Sequence, residues 1–103
     1  MTRLFFIKMH FVYILYSSRS DLYYVGESND VPVRMQFHND LNQGGFTSKH
    51  RPWVVKRILT LPDRGMAIKV ERYIKRRKSR HYIKSLIEDD EVCRSLIDRL
   101  GAG

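Results

Sequence analysis

The sequence predicts an α/β fold (α+β in the stricter sense). It is a small, three-stranded, mainly antiparallel sheet flanked by helices, in the order ββαβααα. Three observations lead there. Two aromatic and β-branched runs flank a short polar stretch, Ser17 to Asp21, so the first two strands pair as a hairpin. Capping residues stand in front of the stretches with helical periodicity. Three strands cannot shield themselves, so the helices must cover the sheet.

Taken in order, residues 10–17 read as the first strand and Leu22 to Ser28 as the second. Gly26 inside the second strand signals a close backbone approach or a bulge. With Tyr16 paired to Asp21 around a four-residue loop, Tyr13 falls directly opposite Tyr24 and the two side chains share one face. Asn29 or Asp30 caps a helix that has Pro32 in its first turn and runs to about Leu41. Val33, Phe37 and Leu41 mark its buried stripe, and Arg34 and His38 share another face. Asn42 to Arg51 is a loop. Trp53 to Leu61 is the third strand, ended by Pro62. Asp63 caps a helix from about Arg64 to Arg77, buried along Met66, Ala67, Val70, Tyr73 and Ile74, with Glu71 at the edge of that stripe. Ser79 caps the next helix. Glu88 to Glu91 open a last short one, where acids suit a helix N-terminus, and Gly101 to Gly103 fray. The chain is one domain, 1–103, with its core over 9–87. Residues 1–8 extend the core fold, or Leu4 to Ile7 form one more edge strand or lengthen the first.

The net charge is +8 and the pI 9.9. A domain this basic points to a polyanionic partner, nucleic acid first and an anionic membrane surface second. One cysteine, Cys93, rules out an internal disulfide and a zinc site built on cysteines, which fits a reducing cytoplasm. No run of about 20 apolar residues is present to span a membrane, and no small-residue cleavage site follows the apolar N-terminus. Lys69 to Lys84 holds eight Lys or Arg against one acid, Glu71. Lys69, Arg72, Lys75 and Arg76 spread over one helix, followed by Lys78 and Arg80, with Lys49 and Arg51 basic at the end of the loop. Single-signed charge of this kind reads as phosphate-backbone contact, with weak sequence preference and steep salt dependence.

Val12-Tyr13-Ile14 and Tyr24-Val25-Gly26, then Arg34 and His38, Arg51-Pro52-Trp53, Ala67 and Glu71, and the basic Ile74-Lys75 and Lys78-Ser79-Arg80 resemble, in this order, the GIY-YIG nuclease family. The likeness covers roughly residues 11–87. It is nearest in kind to small stand-alone members and to the catalytic domain of the bacterial excinuclease. The resemblance implies a divalent-metal-dependent DNA endonuclease, structure-specific or weakly sequence-specific, of the kind used in DNA repair or recombination. It implies catalytic roles for Tyr13, Tyr24, Arg34, His38 and Glu71, with Glu71 holding one Mg²⁺ or Mn²⁺. The departures are Val12 for the first glycine, Glu27-Ser28 after the second tripeptide, and the lack of any Asn after Asn42.

The residue chemistry is compatible. One carboxylate with waters makes a workable Mg²⁺ site, although Glu71 is also spaced to pair with Lys75. A tyrosine with its ordinary pKa of about 10 is a poor general base, but it can serve where nearby cations or a metal stabilise the phenolate. Tyr13 or Tyr24 is therefore expected to accept a proton from the attacking water, directly or through the other tyrosine. Tyr16 and Tyr23 read as ordinary core aromatics, and Glu27 as a solvent-facing strand residue or a second acid near the site. Arg34 can grip phosphate bidentately or pair with Asp30. A non-catalytic nucleic-acid-binding module on the same fold is the alternative function. A protein partner that selects the substrate fits the lack of any recognition domain within these residues.

Overall fold

The computed structural model describes residues 9–41 and 44–102. The expected edge strand over Leu4 to Ile7 and the fraying at Gly103 lie outside the described residues. Strand β1 (His10–Ser17) is central, with β2 (Leu22–Ser28) and β3 (Val54–Leu61) antiparallel on either side. Helix α1 (Val31–Gln36) continues as one π-helical stretch (Phe37–Leu41), and a 3₁₀ helix (Phe46–His50) precedes β3. Helices α2 (Arg64–Arg77), α3 (Arg80–Glu88) and α4 (Asp90–Ala102) follow. The predicted order holds.

Period-two alternation in β1 divides the core. Val12 and Ile14 face one way with Val25, Leu59 and Leu61, and pack on Ala67, Val70 and Ile74 of α2, Leu86 of α3, and Cys93 and Leu96 of α4. Tyr13 and Leu15 face the other way, against Val31 of α1 and Trp53. The site grows from this second, smaller and more aromatic face. Arg57 on β3 is spent on structure. Its guanidinium donates to the carbonyls of Leu86 (2.7 Å) and Ile87 (2.9 Å) and pairs with Asp90 (2.8 Å), which closes the end of α3 and fixes the start of α4. The predicted caps are present: Asp30, Asp63 and Ser79 accept from the amides of Val33, Met66 and Tyr82.

Five expectations need correction. The hairpin register is shifted by two: Tyr13 faces Gly26, Leu15 faces Tyr24 and Tyr16 faces Tyr23. Asp21 is the cause. It sits in the turn at φ 53, a left-handed conformation that Asp tolerates. There its carboxylate accepts from the Tyr16 hydroxyl at 2.6 Å and meets the Arg80 guanidinium, so it cannot close the ladder; Ser17 and Leu22 do. A shift of two keeps Tyr13 and Tyr24 on one face. Second, the buried stripe of α1 is Val31, half-buried Met35 and His38, whereas Val33 is 58% exposed. Val33 lies two residues, about 200° around the helix, from both Val31 and Met35, so it points to solvent when they face the sheet; the side chain of Leu41 is outside the described residues. Third, the loop before β3 contains the 3₁₀ turn, pinned where the Trp53 indole donates to the Thr47 carbonyl at 2.8 Å. Fourth, β3 begins at Val54 rather than Trp53, whose backbone is instead bonded by the Asn39 amide. Fifth, α4 spans 13 residues and takes in Gly101, which packs near Met66.

Candidate active site

The site starts from a glycine. Gly26 lies opposite Tyr13 in the ladder, and the Tyr13 ring lies across it. A Cβ at Gly26 would come within 2.5 Å of Tyr13 Cζ, and closer to the hydroxyl. This is the close approach the sequence predicts, and β1 and β2 pair without a bulge. The irregularity in the sheet falls between β1 and β3, at Ile14/Leu15.

Lying over the glycine, the 2% exposed Tyr13 ring carries its hydroxyl to His38 Nε2, 2.9 Å away. His38 is 3% exposed. Its Nδ1 bonds Thr47 Oγ1 at 2.9 Å, and Arg51 Nε donates to its carbonyl at 2.7 Å. Burial, then the Arg34 and Arg51 guanidiniums, push the His38 pKa below its ordinary 6.5, so the imidazole is neutral. A neutral imidazole has one donor and one acceptor, and Tyr13 and Thr47 meet both. Burial and the neighbouring Tyr24 push the Tyr13 pKa up to about 12, against an opposing pull from Arg34. Tyr13 is therefore a phenol in the resting protein.

The other expected residues surround this pair. The Tyr24 ring is 6.5 Å from the Tyr13 ring and 5.1 Å from that of His38. Arg34 is exposed on α1, over the Phe37 ring at 4.8 Å. Asp30, a possible ion partner for it, instead caps the Val33 amide. Glu71 reaches in from α2, close enough to raise the Tyr13 pKa by its charge. Its side chain is 18% exposed and pairs with Lys75 at 3.2 Å, and the Lys75 ammonium sits 5.7 Å from the Tyr24 ring centre. His38 thus bonds the Tyr13 hydroxyl, Tyr24 packs beside both rings, and Arg34 and Glu71 act on Tyr13 by their charge.

The basic residues divide. Lys75 belongs to the site. Arg51 turns inward to His38. Arg80 pairs with Asp21 and stacks on Tyr23 at 4.9 Å, tying α3 to the hairpin turn. Lys69, Arg72 and Arg76 line a shallow depression with Tyr73 and Leu100, and Lys69 donates to the Leu100 carbonyl at 3.3 Å. Lys49 and Lys78 are exposed. Tyr23 packs against the larger core and Tyr16 lies half-buried beside it, at 4.9 Å between ring centres. Glu27 is neither solvent-facing nor free: it pairs with His10 across the ladder end. Two contributors went unread in the sequence. Thr47 orients His38, and Phe46 stands beside Tyr24. Both lie in a stretch whose Gly44, Gly45 and Pro52 signal only a loop.

Among the described residues, no three His, Cys, Asp or Glu side chains come together as a metal cage. The Glu71 carboxylate suits a hard cation that keeps most of its waters, so it fits Mg²⁺ or Mn²⁺ better than zinc.

The hairpin presents two tyrosines, with an arginine, a histidine and a glutamate approaching from two helices. The sequence profile of the GIY-YIG catalytic domain matches residues 9–84, and the chain belongs to the GIY-YIG family. The match ends in α3, so α4 lies beyond it. No curated protein matches the chain. The family is one of nucleases, whose substrate is DNA and which are generally dependent on a divalent metal.

Proposed function

We propose that this protein is a metal-dependent DNA endonuclease, structure-specific or weakly sequence-specific, serving DNA repair or recombination in the cytoplasm. The observation that carries the reading is the buried Tyr13–His38 bond, with Tyr13 under the opposing charges of Arg34 and Glu71. His38 takes the tautomer with its proton on Nδ1, donated to Thr47 Oγ1, which leaves Nε2 to accept from the Tyr13 hydroxyl. With a pKa of about 12, Tyr13 is a poor base alone. It accepts a proton from the attacking water as it passes its own to His38, whose depressed pKa leaves it free to receive one. Arg34 holds the phosphate oxygens bidentately and neutralises charge that grows in the transition state. Glu71 would hold the cation, which when bound would supply Lewis acidity at phosphorus and help for the leaving oxygen. Exposed Lys49, Arg72, Arg76 and Lys78 contact the backbone, and a protein partner selects the substrate.

A second reading, a non-catalytic nucleic-acid-binding module, has one observation in its favour: Glu71 is already paired with Lys75. Cleavage of flapped, branched, single-stranded and plain duplex DNA in Mg²⁺ or Mn²⁺ separates the two. The enzyme reading expects metal-dependent cuts that Tyr13→Phe and Glu71→Ala abolish. Cleavage that survives in Glu71→Ala refutes the assignment. Salt-sensitive binding without cleavage in any metal establishes the module instead.

A further inference from the structure

Phe46 is a large aromatic left half in solvent, 54% exposed, beside the site. Its ring is 6.4 Å from that of Tyr24 and tilted only 23° from it, a near-parallel offset. His50 and Trp53 support it at 4.7 and 6.5 Å between ring centres. Trp53 is itself fixed, its indole bonded to the Thr47 carbonyl and its backbone to the Asn39 amide. The Phe46 ring is therefore pre-positioned, and nothing in the core needs it. Lys49, one turn along the same 3₁₀ helix, is exposed, and the Lys75 ammonium lies over the Tyr24 ring. An exposed aromatic step with cations at its rim is the chemistry that receives a nucleobase while its phosphates are held by charge. A base stacked inside a duplex has no free face to offer.

We propose that Phe46 and Tyr24 form a stacking step for one unpaired nucleobase next to the scissile phosphate. The substrate class is then DNA that is single-stranded or locally unpaired at the cut. This deepens the nuclease reading and rests on it for the position of the cut; the stacking itself is tested by binding. Because a base's π face is sequence-independent, the step selects structure and not sequence.

The test uses Glu71→Ala protein, so that binding is read without cleavage, and a single-stranded oligonucleotide carrying 2-aminopurine at successive positions. Fluorescence quenching should occur at one position. Phe46→Ala should remove it and weaken binding roughly five- to hundredfold, the range for loss of one stacking partner, while Phe46→Trp retains both. Replacing that nucleotide by an abasic residue should weaken binding by the same factor in the parent and by almost nothing in Phe46→Ala. Additive losses, quenching unaffected by Phe46→Ala, or equal weakening on fully paired duplex overturn the proposal. If stacking is found but Glu71-intact protein never cleaves, the nuclease reading fails and the step stands. If the protein cleaves with no Phe46 dependence, the step fails alone.

Discussion

Gly26→Ala should damage the protein through Tyr13. The three atoms nearest an added Cβ all belong to the Tyr13 side chain, with Cζ at 2.5 Å. Carbon atoms settle at about 3.5–4.0 Å, so the ring must retreat by about 1 Å. The hydroxyl, now 2.9 Å from His38 Nε2, then parts from it, because bonds of this kind end near about 3.2–3.5 Å. Overpacking a fitted core costs about 1–3 kcal/mol, and stranding a buried polar group about 1–3 kcal/mol more. The sum is a large share of the roughly 5–15 kcal/mol of a typical domain. Displacement of a reacting group by about 1 Å costs about a hundredfold in rate. Urea denaturation and cleavage rates should be measured for the parent, Gly26→Ala, Tyr13→Ala and the double variant. In the Tyr13→Ala background the added methyl has lost its obstacle, so its penalty should fall below about 1 kcal/mol. An equal penalty in both backgrounds refutes the argument, because the strain would then not run through Tyr13.

Stability should also report on His38. Its folded pKa is depressed by burial, then by Arg34 and Arg51, so the unfolded chain binds a proton first. The contribution is fully present above the ordinary value of 6.5 and is lost as pH falls from there through the folded pKa. Urea midpoints between about pH 5 and 8 should decline toward acid, and His38→Gln should flatten that slope; an unchanged slope removes His38 as its source. Arg57→Ala should lower stability by about 1–3 kcal/mol through the abandoned carbonyls of Leu86 and Ile87. Cleavage per folded molecule should stay at the parent level, and a loss of activity in the folded variant would place Arg57 in the chemistry.

The faces of the hairpin were readable from alternation, because a period of two survives any even slip. The register was not, since it depended on whether Asp21 closes the ladder or turns left-handed. Two contacts settled that, from Tyr16 and from Arg80 59 residues away, and no local pattern announces a partner so distant. The inward face of α1 was misread for a related reason. Counting apolar residues favours Val33 and Phe37, yet the buried position belongs to a histidine. Its two ring nitrogens are satisfied by Tyr13 and Thr47, from different parts of the chain. The spacing of Glu71, by contrast, placed it at the rim of the α2 stripe, where the structure has it.

That position makes Glu71 and Lys75 the most informative pair in the molecule. Their salt bridge is the pairing that the i,i+4 spacing of Glu71 and Lys75 predicts, and the Lys75 ammonium stands over the Tyr24 ring inside the candidate site. The two roles are compatible if a cation replaces the ammonium at the carboxylate. Lys75 is then a competitor for Glu71, and its removal should tighten Mn²⁺ binding. Half-exposed pairs of this sort are worth about 0.2–1 kcal/mol, so Lys75→Met should raise affinity by no more than about fivefold. Electron paramagnetic resonance of free Mn²⁺ reads this without any cleavage. The same substitution should weaken DNA binding, because one cation beside the Tyr24 ring is gone. Tighter metal with weaker DNA is the combination expected of a lysine that gives up the carboxylate for the substrate. Unchanged Mn²⁺ affinity in Lys75→Met, with Glu71→Ala also unchanged, would mean that the carboxylate serves the lysine alone.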